Sequence, residues 1–118
     1  MLPATIRQRY LKQSLPIRLG GLAADLARVS SFAKIPDPKA TETMLEESRA
    51  FIEWSAPDLV ADRVDDAARL VEIQRALTRW HWIWDKAQQD PAKRKELAEQ
   101  ARAWSDEVLK MSGLLDQI

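Results

Sequence analysis

Apolar residues recur at intervals of three and four along most of the chain, the spacing that lines one face of an α-helix. The pattern is clearest in the second half. At about 100° per residue, Leu70, Ile73, Leu77, Trp80, Trp84 and Ala87 share one side. Trp82 points the opposite way, among Arg75, Thr78, Asp85 and Lys86. A strand would instead align Trp80, Trp82 and Trp84. The helix reading prevails because Leu70 to Leu77 keep the helical period and no turn residue separates them from the tryptophans. Upstream the apolar side swaps. Val60, Val64, Ala67 and Val71 lie on the side of Trp82, whereas Asp58, Asp62 and Asp66 lie on the side of Trp80 and Trp84. No glycine or proline interrupts the chain between Pro57 and Pro91, so one continuous helix over residues 57–88 is expected. Apolar on two sides in its middle, it reads as the central helix of the fold.

The other elements follow from their start and stop signals. Residues 3–12 form a short helix with Pro3 in its first turn. Ser14 caps a second helix that carries Pro16 in its first turn and runs to about Ala33. Leu15, Leu19, Leu22, Leu26 and Val29 make its seam. Gly20 and Gly21 interrupt that seam at a cost of about 1 kcal/mol each relative to alanine, so a close neighbour is expected there. Ile35-Pro36-Asp37-Pro38 separates it from a third helix, capped by Asp37 and ending near Trp54. Ser55-Ala56-Pro57-Asp58 has the form of a capping box for the long helix. Asp90-Pro91 opens the last one, with Leu97, Ala101, Trp104, Val108 and Met111 inward and Gly113 at its end. Leu114 to Ile118 are expected to tuck back. The expected fold is a single all-α domain over residues 1–118, an antiparallel bundle of four main helices plus a short N-terminal helix.

Composition adds little to this but removes several functions. With 46% hydrophobic and 31% charged residues, the chain has an ordinary globular composition. A formal charge of zero points to neither nucleic acid nor a membrane surface as a partner. There are no cysteines, hence no disulfide and no thiolate metal site. No apolar run reaches the roughly 18 residues of a membrane span, and the N-terminus lacks the apolar core of a signal peptide, so a cytoplasmic protein is expected. Charge is nonetheless uneven. No acid precedes Asp25, and Arg7, Arg9, Lys12 and Arg18 make a candidate basic arm, for anionic lipid or nucleic acid in its sharpest reading.

Candidate chemistry is sparse. The lone histidine, His81, has no ligand at metal-site spacing, and no serine or threonine has a paired base. No catalytic residue, metal, cofactor or small-molecule substrate is identified. Arg75 and His81 resemble the Arg-x(4–6)-His signature of HEPN-type helical ribonucleases, although Ala76 stands where that family usually has a polar residue. The resemblance implies an enzyme in which Arg75 and His81 act on an RNA phosphate at a dimer seam. The segments Ile6-Arg7-Gln8-Arg9-Tyr10-Leu11, Leu22-Ala23-Ala24-Asp25-Leu26-Ala27-Arg28-Val29 and Trp104-Ser105-Asp106-Glu107-Val108-Leu109-Lys110-Met111-Ser112-Gly113 resemble small uncharacterised all-helical proteins of cyanobacteria. That resemblance implies an ordered helical chain and no activity. The favoured expectation is a non-enzymatic protein-interaction or scaffold module. Its candidate patch is Arg79, Trp82 and Lys86, used on a protein partner or on a second copy.

Overall fold

The computed structural model describes residues 2–35 and 37–117. Pro36, in the expected connection, and Ile118, in the expected tail, lie outside the described residues. Among them the only regular structure is helical. Five α-helices, α1 (Ala4–Lys12), α2 (Leu15–Ala33), α3 (Pro38–Ser55), α4 (Val64–Ala87) and α5 (Pro91–Ser112), are joined by short connections. One 3-10 turn, Ala56–Leu59, follows α3, and another, Leu114–Gln117, follows α5. No helix of the described residues is long and apolar enough to cross a membrane.

The helix ends follow their local chemistry. Asp37 accepts a hydrogen bond from the Ala40 amide at 3.2 Å, and Asp90 accepts one from the Ala92 amide at 2.9 Å. Gly113 stops α5 with φ of 72°, a left-handed conformation that glycine adopts without a side-chain clash. Ser14 stands at the N-cap of α2 but makes no side-chain cap bond.

α2 packs on α5 and α3, and α4 packs on α3 and α5. Leu19, Leu22, Leu26 and Val29 of α2 meet Leu45 and Ile52 of α3, Leu70, Ile73 and Leu77 of α4, and Leu97 and Val108 of α5 in one fully buried cluster. Each such side chain contributes about 1.5–3 kcal/mol through burial. Ser30 and Ser105 clamp α2 to α5. Each donates its hydroxyl across the contact at 2.7 Å, to the carbonyls of Ala98 and Ala23 respectively.

Tyr10 is the buried anchor of α1, and Ile6 packs beside it against the core. Tyr10 stacks on Phe51 with centroids 3.9 Å apart, donates to the Arg18 carbonyl at 2.8 Å and sits 2.8 Å from Ser55 Oγ. Burial pushes its phenol up to about 12, partly offset by Ser55 and Arg18.

The two glycines of α2 have different reasons. A methyl group on Gly20 would stand 2.6 Å from Leu114 Cδ1, so the returning tail crosses the helix there. One on Gly21 would meet Tyr10 Cε1 at 3.9 Å, an ordinary contact. Gly21→Ala is therefore expected to raise stability by about 0.5–1 kcal/mol through helix propensity. Urea unfolding measures this, and a loss of stability would show that Tyr10 cannot tolerate the methyl.

The expected continuous helix over residues 57–88 does not form. The chain leaves the 3-10 turn, bends through residues 60–63 and starts α4 only at Val64. A continuous helix would have aimed Asp62 at the core, where an unpaired carboxylate is costly. The bend leaves Asp62 exposed, and Asp66 is paired with Arg63, whose Nε lies 2.8 Å from Asp66 Oδ2. Arg63 also donates to the Met111 carbonyl at 2.7 Å, which ties the bend to the end of α5. Neither is α4 buried on two sides. Val64 is 60% exposed and Val71 38%, so α4 has one inward face and one outward face.

Candidate interaction surface

The outward face of α4 is built between two buried anchors. Trp80 and Trp84 point inward, ring centroids 6.4 Å apart and nearly perpendicular. Trp80 Nε1 donates to Gln100 Oε1 at 2.9 Å, which pins this turn of α4 to α5. Two residues from each anchor, helix geometry turns Trp82 away from the core, and it is 87% exposed. The end of the helix is also held: Arg94 donates to the Gln88 carbonyl at 2.6 Å. Trp82 thus stands on a fixed backbone.

Arg79 and Lys86, one turn to either side of Trp82, are exposed with it, as are Arg75, Thr78 and Asp85. The structure therefore brings the three residues of the candidate patch to one surface. Ile83, 37% exposed, extends its apolar part.

The same face continues toward the start of α4 as an apolar groove. About 530 Å³ in volume, it runs between α4 and the 3-10 turn and is lined by Ala56, Pro57, Val60, Val64, Ala67 and Val71. Val60 is 55% exposed. These valines form a stripe in the sequence, yet their pattern alone suggested burial against a neighbouring helix.

The basic arm is divided by the fold. Arg7, Arg9 and Lys12 are exposed on α1, but Arg18 is buried, 2.8 Å from Asp58 Oδ2 and 3.2 Å from the Trp54 carbonyl. It serves the junction of α2 with the end of α3 rather than a ligand surface.

Arg75 and His81 lie about 120° apart around α4 at helical pitch, so one chain does not bring them together. His81 turns toward α3, its Nε2 4.0 Å from Glu42 Oε1. Among the described residues no cluster of His, Asp or Glu has the makings of a metal site. A cleft of about 630 Å³ is bordered by Lys34, Arg94, Lys95 and Arg102 with Glu99. Ser30, the buried polar side chain on its wall, is already committed to the Ala98 carbonyl.

One group stands out that the periodicity did not single out. Asp25 is 3% exposed within the α2 seam. Its Oδ1 accepts from Arg28 Nη1 at 2.8 Å, and Oδ2 has no partner. Burial first, and then the charge of Glu47, push its carboxyl up to about 7 against the pull of Arg28. An acid between Leu22 and Leu26 on an apolar stripe was the available signal.

Comparison with protein-family models, with curated proteins and with solved structures returns no match.

Proposed function

We propose that this chain is a non-enzymatic interaction module. In this reading the four longer helices form an antiparallel bundle, a rigid scaffold that presents Trp82 as an aromatic anchor with Arg79 and Lys86 as its charged rim. The contacts of α2 with α3 and α5, and of α4 with the same two helices, close a ring that supports the bundle.

The exposure of Trp82 carries the proposal. Burying an indole removes about 150–250 Å² from water, on the order of 4–6 kcal/mol as an upper bound. Folding leaves that gain unrealised at Trp82 and realises it at its neighbours Trp80 and Trp84. An exposed tryptophan on a well-anchored helix, flanked by arginine and lysine, has the make-up of an interface hot spot. The ribonuclease reading, which places Arg75 and His81 at a dimer seam, has no comparable observation behind it.

The test is Trp82→Ala, checked by circular dichroism and then by chemical cross-linking in native cell extract beside the unchanged protein. The folded variant is expected to lose the cross-linked species that the unchanged protein forms. A variant that keeps them all removes Trp82 as an anchor.

A further inference from the structure

The outward face of α4 is a second seam. Val64, Ala68, Val71, Arg75, Thr78 and Trp82 follow one another at alternating intervals of four and three, and all are exposed. At about 100° per residue they fall within a sector roughly 80° wide. This is the spacing of two helices packed side by side, and here it is turned to solvent.

The seam is graded. It begins with small apolar residues, carries an arginine in the middle and ends on a tryptophan. Beside its beginning lies the 530 Å³ apolar groove, and at its end stands the exposed ring. A surface that has an anchor at one end and a receiving groove at the other is complementary to an inverted copy of itself.

Resting on the reading of Trp82 as an anchor, we propose that the occupant of this face is a second copy of the chain, with the two α4 helices packed antiparallel about a two-fold axis. Trp82 then lies opposite Val64 of the second copy and enters its groove. Thr78 lies opposite Ala68, and Arg75 opposite Val71. Each contact occurs twice.

Charge agrees with the antiparallel sense. Asp65 and Arg79 flank the seam on the same side, and both are exposed. Inversion brings Asp65 of each copy beside Arg79 of the other. Near the axis Glu72 and Arg75 from both copies gather, two charges of each sign. A parallel pairing would instead set Arg75 on Arg75 and Trp82 on Trp82, and would leave both grooves empty. A specific interface buries about 1,200–2,000 Å² in total. The two indoles supply roughly 300–500 Å² of that, and the valines and groove walls add their area twice over.

The experiment is sedimentation equilibrium of the full chain with a set of variants. The unchanged protein is expected to dimerise, and Trp82→Ala to weaken the dimer at least about tenfold while staying folded. Asp65→Arg and Arg79→Asp are each expected to weaken it, and the two together to restore it. The chain has no cysteine, so register can be read by oxidation. Ala68→Cys with Thr78→Cys in one chain is expected to give a covalent dimer, and Thr78→Cys alone is not. A covalent dimer from Thr78→Cys alone overturns the antiparallel register. A chain that stays monomeric to about 100 μM overturns the self-pairing. If Trp82→Ala still abolishes cross-links in extract, the anchor reading survives that failure, and if it does not, both fall.

Discussion

Replacing Trp84 with alanine is expected to cost about 3–5 kcal/mol of folding stability, whereas the same change at Trp82 stays within about 0.5 kcal/mol. The two residues share a helix, a chemistry and nearly a position. They differ in where helical pitch points them: Trp84 is 2% exposed and Trp82 87%. Removing the Trp84 ring loses its transfer energy and leaves a cavity beside Trp80, and the well-packed neighbours close it only in part. Removing the Trp82 ring vacates only solvent-facing space in a single chain. Urea unfolding followed by far-ultraviolet circular dichroism is the suitable measurement, because tryptophan emission changes with the substitutions themselves. Work at low protein concentration keeps any self-association out of the comparison. Equal losses at the two positions would mean that α4 does not present the faces described here.

The second large effect is a dependence of stability on pH that Asp25 sets. Its carboxyl is pushed from 3.8 up to about 7 in the folded chain, chiefly by burial. Between those values the folded protein holds a proton that the unfolded chain has released. Stability is therefore greatest in mild acid, falls as pH rises through this window, and levels off above about 7. Between pH 5 and pH 8 the loss is about 2–3 kcal/mol, at 1.36 kcal/mol for each unit of displacement. Asp25→Asn keeps an oxygen to accept from Arg28 and carries no charge, so it is expected to be more stable than the unchanged protein at pH 8, by a smaller margin at pH 5, and nearly equal only near pH 4. Glu47, whose carboxyl burial also raises, leaves a smaller slope of the same sign in the variant. Parallel pH profiles for the two proteins would show that Asp25 is ionised in the fold without penalty.

Both effects bear on how the chain encodes its structure. The inward face of α4 could be read directly, since Leu70, Ile73, Leu77, Trp80 and Trp84 repeat at helical spacing with no interruption. The same arithmetic put Trp82 on the opposite side of the helix but left open whether that side was covered, and the fold leaves it 87% exposed. The bend at residues 60–63 was not legible in that way. It contains neither glycine nor proline, and it avoids the cost of facing Asp62 inward and is tied down by the bond from Arg63 to the Met111 carbonyl. That partner is distant in sequence. Arg18 likewise looked like one more cation of a basic arm until the fold set it against Asp58.

By itself the sequence determined that the chain is helical, most of the helix ends and one inward face of each helix. These depend on residue spacing and on chemistry within a few positions, namely caps, prolines and a terminal glycine. Only the tertiary structure decided which apolar stripes remain in water. Val60, Val64 and Val71 have the pattern of a buried face, and nothing local distinguishes them from Leu70 and Ile73. They stay exposed because, among the described residues, no other helix covers that side of α4. Whether a greasy stripe is core or surface depends on the elements that arrive to cover it, a property of the packed assembly that residue spacing does not carry.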